Sequence, residues 1–419
     1  MGIATVVTSA TLAINERVEA RRASGETVLH LGFGEAGLPV LPELAEVLAR
    51  NVGRNRYAPV TGTAPARAAT AGYFTRRGLP TDADQIVLAP GSKALLYALV
   101  AGLPGDVVLP QPSWVSYAAQ AALAHKEVIW VPVPAECGGV PDPDRLGEML
   151  RRARAEGRRP GILVLTLPDN PTGTVAGAEL LAKVCRVAEE HDLAIVSDEI
   201  YRDLSYDPGS FVSPASLAPE RTFVTTGLSK SLALGGWRIG AARFPNGVLG
   251  WQTLQHVSGI ASEVWSALAD PMQEVVSYVM DEPEPVVARV AASRNLHRTI
   301  SRAAHQVYVD AGVQCRAPSG GFYLYPDFEP FRGTLAARGI TTGSQLADHL
   351  LDDHGVGVLS GDAFGDEHQA LRFRAATSLL YGDTADQRLV ALSSDDPTTL
   401  PWIASSLTHL RTALSSVHH

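Results

Sequence analysis

The chain is built from short, uninterrupted apolar runs separated by stretches of helical spacing. "QIVLAP" (Gln85–Pro90), "DVVLPQP", "EVIWVPVP", "GILVLTLPDNPTG" and "LAIVSDEIY" follow one another in this way, with a helical pattern over Ala178–Glu190 between the last two. "RTFVTTGLSK" and "RIGAARFP" supply two more strands. A strand that is apolar at every position must be covered on both faces, and strands joined through helices run parallel. The predicted fold is therefore α/β: a mostly parallel sheet of about seven strands with helices on both faces.

Both flanks differ from this pattern. Thr11–Arg22 has helical spacing, "TVLHLGF" (Thr27–Phe33) reads as a short strand, and a Gly/Pro-rich stretch runs on to Pro42. After Pro283 comes a long helical segment, and beyond it "GGFYLYPDF" and "ALRFRAATS" mix strands with helices. A chain of 419 residues exceeds what one hydrophobic core usually serves. We expect a large domain over 42–283 and a smaller α+β domain formed by both ends. Residues 1–41 would supply its N-terminal arm and 284–419 its C-terminal part.

Composition narrows the partners. Lys and Arg total 35 against 44 Asp and Glu, a net charge of −9. An acidic surface argues against nucleic acid, although a local pocket can still hold a small anion. Cys137, Cys185 and Cys315 are far apart and show no metal-ligand spacing, which predicts free thiols in a cytoplasmic protein and no metal site. Residues 1–22 lack the basic start and apolar core of a secretory signal. Val6 stands where a myristoylated Met1-Gly2 terminus needs a hydroxyl residue. No apolar run approaches the roughly 20 residues of a membrane span, so no membrane partner is expected.

In such a sheet, ligands sit at the carboxyl ends of the strands. The residues just after each strand form a set. Gly91-Ser92-Lys93 opens a helix, where free N–H groups and a glycine suit an anion. Trp114 after Pro112-Ser113 could stack on a flat ring, although a lone tryptophan is more often core. Asn170 could donate to a ring oxygen, and Tyr201 could reach a phenolic one. Asp198 ends an apolar strand, where a buried carboxylate would keep a heteroaromatic nitrogen protonated. Lys230 lies among Gly227, Ser229 and Ser231, a setting that favours a neutral, reactive amine. Arg238 follows a Gly-Gly-Trp turn and could hold a phosphate, helped by the Thr226 and Ser229 hydroxyls.

In that order and spacing, "PDNPTG", "VSDEIYRDL", "TGLSKSLALGGWRIG" and "ALRFRAATS" resemble the pyridoxal-phosphate-dependent aminotransferases of fold type I, class I/II, the group that includes aspartate aminotransferase. The likeness runs from "VLHLGFGEAG" to "RFRAATS". It implies that Lys230 forms the Schiff base and that Asp198 faces the pyridine nitrogen. Tyr201 and Asn170 would meet the phenolic oxygen and Trp114 would stack. Ser92, Lys93 and Arg238 would cradle the phosphate, beside Gly91 and the Thr226 and Ser229 hydroxyls already read from the residues themselves. Tyr57 would reach the phosphate of a neighbouring subunit, so a homodimer with shared sites is implied. Gly34 would line the substrate pocket, and Arg372 would grip the substrate α-carboxylate. The implied reaction moves an amino group from an α-amino acid to a 2-oxo acid by a ping-pong route, through a pyridoxamine phosphate form.

Some positions depart from the family pattern. Gly227 and Gly235 stand where hydroxyl residues are common, and "GEAGLP" replaces a Gly-Glu-Pro-Asp-Phe type of sequence. Arg374, two residues after Arg372, reads as a surface or structural charge, or else as a binder of an acidic substrate tail. The stretch over 379–402 is long for its place before the last helix. The same scaffold also supports elimination, replacement, decarboxylation and oxidation, which are the alternatives. A remote one is an NAD-dependent oxidoreductase, because "GFGEAG" (Gly32–Gly37) has the form G-x-G-x-x-G. That motif must open a helix, and Pro39 and Pro42 stand against it.

Overall fold

The computed structural model describes residues 9–417. Its strands are β1 (Leu29–His30), β2 (Ile86–Ala89), β3 (Asp106–Gln111), β4 (Val128–Pro132), β5 (Pro160–Thr166), β6 (Ala194–Asp198), β7 (Thr222–Gly227), β8 (Gly240–Arg243), β9 (Tyr323–Leu324), β10 (Val356–Gly357), β11 (Leu359–Ser360) and β12 (Phe373–Ala376). Seven of them form one sheet in the order β2-β8-β7-β6-β5-β3-β4. β8 runs antiparallel to both its neighbours, and β3 to β7 pair parallel. This is the expected mostly parallel α/β sheet.

Side-chain alternation places the two cores. In β5, Ile162 and Val164 face one side, packing with Leu95 and Leu99 of the helix Ser92–Gly102. Leu163 and Leu165 face the other, against Leu146, Leu150, Leu181 and Val184 of the helices Pro143–Ala155 and Ala178–Glu190. Successive residues of a strand point to opposite faces, so a continuous apolar run is what two covered faces require.

The two ends of the chain meet. β1 pairs parallel with β10, and β11, β12 and β9 form an antiparallel sheet. A separate core gathers Leu29 and Leu31 with Leu296, Ile300, Phe328, Phe373 and Leu410. The helix Ala10–Ala23 spans the expected Thr11–Arg22, and the long helix runs over Glu284–Asp310. "TVLHLGF" and "GGFYLYPDF" yield only two-residue strands, because too few neighbours continue the ladder at these edges. The long stretch over 379–402 holds a helix, Ala385–Ser393, started by a capping box between Thr384 and Gln387.

Residues 32–41 contain no helix; the next one starts at Pro42. The glycine-rich segment therefore does not form a dinucleotide-binding turn. All three cysteines are free, Cys137 and Cys185 buried and Cys315 half-buried. No group of three or more His, Cys, Asp or Glu among the described residues could hold a metal ion. No described helix is long and apolar enough to cross a membrane.

Leu163 is fully buried in the centre of the sheet. Leu163→Ala should destabilise the protein by about 2–5 kcal/mol, read as a lower thermal unfolding midpoint with unchanged far-UV circular dichroism at 25 °C.

Candidate active site

Residues that follow β3, β5, β6 and β7, together with Tyr323 of β9 and Arg374 of β12, enclose a cavity of about 350 Å³. Chain order reverses between β3 and β5, since β4 lies outside β3 while β6 and β7 extend the other way. A crevice opens at such a reversal. Ser92, Lys93, Trp114, Asn170, Asp198, Tyr201, Ser229, Lys230, Arg238 and Gly34, all named from the sequence, line it.

Asp198 is 4% exposed. Tyr117 Oη donates to its Oδ2 at 2.9 Å, and Thr225 Oγ1 to its Oδ1 at 3.1 Å. Tyr117 is itself tied to Thr166, with 2.7 Å between their oxygens. Burial pushes the Asp198 carboxyl up to about 6, against the hydrogen bonds from Tyr117 and Thr225 that favour its ionised form. A buried carboxylate in this state wants a cationic N–H partner from the cavity.

Lys230 is carried by a four-residue helix, Leu228–Ser231, directly after β7. Its Nζ donates to the Gly34 carbonyl at 2.5 Å. Burial lowers its pKa to about 8, and the Arg374 and Arg238 cations add to this, opposed by Glu35 and Asp198. An amine in this range exchanges its proton readily near neutral pH. The glycine at 227 has a steric cause: a Cβ there would lie 2.7 Å from the Ile239 carbonyl.

The anion cradle forms where β2 and β7 deliver their loops side by side. Gly91 has φ +89° and caps the helix Ser92–Gly102. A Cβ at Gly91 would lie 2.2 Å from the Arg238 guanidinium, so only glycine lets that cation approach the free N–H groups. Arg238 itself adopts φ +53°, a strained conformation for a residue with a side chain, and its NH1 donates to Gly235 O at 2.9 Å. Nothing would obstruct a Cβ at Gly235 or Gly236, so there is open space beside the guanidinium. These donors fit a phosphate, Asp198 fits a ring N–H and Lys230 fits a carbonyl carbon. The set matches pyridoxal phosphate.

Two placements from the sequence change. Arg372 does not reach the cavity. Its Nε donates to Asp327 Oδ2 at 2.8 Å and its NH1 faces Asp366 at 3.3 Å. Arg374 takes the place instead, 1% exposed, donating from NH1 to Asn170 Oδ1 at 3.2 Å and from NH2 to Gly32 O at 2.9 Å. The Arg374 guanidinium also lies 4.7 Å from the Tyr323 ring centre and 4.9 Å from that of Phe364. It is thus not a surface charge but part of the cavity lining. Thr226 is the second change: Thr225 turns toward Asp198, so its neighbour lies on the opposite face, in a cavity lined by Tyr73 and Arg294. Tyr57, expected to act in a neighbouring subunit, is 95% exposed on this chain and away from the chain's own cavity. Tyr117, Thr225 and Tyr323 carried no signal as site residues, because each is read only from its partner.

The Asp198 carboxyl sits at about 6 instead of 3.8. Before any cofactor binds, this group stabilises the fold fully below about pH 4 and stops doing so as the pH rises through about 6. Asp198→Asn should therefore raise the melting temperature of the cofactor-free protein more at pH 8 than at pH 4, while loosening its hold on pyridoxal phosphate. Melting curves at the two pH values and a dialysis assay check both effects.

Comparisons with known proteins agree with this chemistry. The family model for aminotransferases of class I and II matches residues 26–379. The aspartate/prephenate aminotransferase of Thermus thermophilus is 32% identical over 362 residues, 85% of this chain and 89% of that protein. The aspartate aminotransferase of Geobacillus stearothermophilus is 30% identical over 92% of this chain and 96% of its own. A solved structure of the Thermus thermophilus aspartate aminotransferase with maleate superposes with a TM-score of 0.81 at 29% identity, covering 94% of this chain and 98% of that one. With a cavity that suits the cofactor and a family match over most of its length, the chain belongs to the class I and II aminotransferases, which depend on pyridoxal phosphate.

Proposed function

We propose that this aminotransferase takes its amino group from an acidic amino acid, works as a cytoplasmic homodimer and follows a ping-pong cycle that ends on a 2-oxo acid. The observation that carries the substrate class is Lys93. The cavity is lined by four cations, Lys93, Lys230, Arg238 and Arg374, against two acids, Glu35 and Asp198. Lys230 is assigned to the carbonyl, Arg238 to the phosphate and Arg374 to the α-carboxylate. Lys93 has no carboxylate partner among the described residues, and its Nζ lies 5.1 Å from the Trp114 ring centre. Its ammonium is free to meet a side-chain carboxylate of the substrate, beyond the phosphate role read from the sequence. The relatives named aspartate aminotransferase support the same class.

When bound, pyridoxal phosphate supplies a carbonyl carbon for the amino group and a ring that takes up the electrons of the broken Cα–H bond. The chain's own residues do the rest. Arg374 spends two of its N–H donors on Asn170 and Gly32, which leaves others for a carboxylate. Its orientation is set before the substrate arrives. Lys230 Nζ removes the Cα proton and later returns one, a task suited to an amine with a pKa of about 8. Asp198 holds the proton on the ring nitrogen, and Tyr201 and Asn170 hold the phenolic oxygen. Trp114 covers one face of the ring. One lysine in one cavity serves both halves of the reaction, so the two substrates must take turns. In the homodimer, Tyr57 of one subunit reaches the phosphate in the other, consistent with its full exposure on a single chain.

Two experiments test this reading. Arg374→Lys should raise KM for every amino donor by about tenfold or more, since a lysine cannot replace a planar fork, while Arg372→Lys leaves KM within about twofold. A panel of amino acids, followed by the absorbance of the bound cofactor in the first half-reaction, tests the side chain. Aspartate and glutamate should react at concentrations where alanine does not, and Lys93→Ala should reduce that preference by about tenfold. Equal reaction with neutral amino acids in the unaltered enzyme would refute the acidic assignment.

A further inference from the structure

Tyr323 was given no role by its sequence position, yet it touches three functional groups of the cavity. It ends up there because β9 pairs with β12, setting Tyr323 opposite Ala376 and next to the strand that carries Arg374. Its oxygen lies 2.7 Å from Tyr201 Oη. It also lies 3.5 Å from the Gly34 carbonyl, the oxygen that Lys230 Nζ already approaches at 2.5 Å. Arg374 covers its ring at 4.7 Å. Tyr323 is 1% exposed, so bulk water offers it no alternative partner.

One hydrogen lies between the two phenols, and the surroundings decide who donates it. Gly34 O lies 3.5 Å away against 2.7 Å for Tyr201 Oη, which makes Tyr201 Oη the better acceptor for Tyr323. The Arg374 guanidinium lies 4.7 Å from the Tyr323 ring centre, nearer than the Lys230 ammonium at 6.0 Å from that of Tyr201, which makes the Tyr323 phenol the more acidic of the two. Tyr323 is then the donor, and the proton of Tyr201 is directed elsewhere. We infer that Tyr323 is a positioning residue with two tasks: its hydroxyl donates to Tyr201, turning the Tyr201 proton toward the cofactor's phenolic oxygen, and its ring braces Arg374. The inference rests on the placement of Tyr201 proposed above. Gly34 belongs to the same device, because a Cβ there would lie 2.5 Å from the Tyr323 oxygen and push it away. The tyrosine pair is held at a ring separation of 5.5 Å in an edge-on arrangement, with Phe322 packed beside both.

The two tasks separate in two variants. Tyr323→Phe keeps the ring and removes the hydroxyl; Tyr323→Leu removes both. The first readout is the pH midpoint at which the absorbance of the bound cofactor changes, measured on the holoenzyme without substrate. The second is the Kd for maleate, a dicarboxylate with no amino group to transfer. Tyr323→Phe should raise the pH midpoint by about one unit, the effect of one lost hydrogen bond, and leave the maleate Kd within about twofold. Tyr323→Leu should shift the midpoint equally and weaken maleate binding by about tenfold as well. Gly34→Ala, which leaves Tyr323 unaltered, should move the midpoint in the same direction and repeats the test should Tyr323→Phe not fold.

Tyr201→Phe separates the possible failures. A midpoint that moves in Tyr201→Phe but stays at the unaltered value in Tyr323→Phe and Gly34→Ala overturns the hydroxyl task alone. A midpoint that Tyr201→Phe does not move overturns the placement of Tyr201 at the cofactor, and the hydroxyl task of Tyr323 with it. Equal maleate affinity in Tyr323→Phe and Tyr323→Leu overturns the bracing task.

Discussion

The active site depends on one buried carboxylate. Asp198 ends β6 inside a sheet covered on both faces, where water cannot solvate its charge. Tyr117 and Thr225 offset part of that cost, and burial still holds its pKa at about 6. The rest of the cavity follows from this debt. In the proposed reading a protonated ring nitrogen would answer the carboxylate, and the phosphate, phenolic-oxygen and carbonyl roles assigned to its neighbours would follow from that pairing. Tyr201, in the connection after β6, and Lys230 and Arg238, both in the connection after β7, stand at the same sheet edge and line the cavity.

Neighbouring cations act on Lys230 in the opposite sense. Arg374 and Arg238 make its charged form less favourable, and burial does more than either. The same low-dielectric enclosure thus drives a carboxyl up toward neutrality and an amine down toward it. Both groups come within reach of proton exchange at ordinary pH. The Gly34 carbonyl gives the resting lysine a partner that it can leave without breaking an ion pair.

Much of this was legible in the sequence, because the relevant signals are local. Strand-ending residues are found by reading where an apolar run stops, and this located Asn170, Asp198 and the segment of Lys230. Glycine in a special conformation is equally local, as at Gly91. The arginines of the β12 segment are different. Arg372, just before β12, and Arg374, within it, are two residues apart, so the period-two alternation expected from the sequence gives them the same face and cannot choose between them. The choice is made by what lies opposite. Asp327 and Asp366 neutralise Arg372, while Asn170, Gly32 and Tyr323 receive Arg374. Those partners come from positions as far as 342 residues away in the chain. Thr226 fails for a related reason: its neighbour Thr225 takes the face toward Asp198.

The sequence by itself determined the doubly covered parallel sheet, the use of both chain ends in a second core, and the chemical kit at the strand ends. These follow from apolar periodicity and from motifs only a few residues long, which any chain of this pattern must obey wherever its other parts go. Tertiary structure alone decided which arginine enters the cavity, which hydroxyls hold Asp198, and that Tyr323 stands between Tyr201 and Arg374. Each of these is a contact between segments far apart in the chain, fixed by strand pairing and packing, and no local stretch of residues encodes its own distant partner.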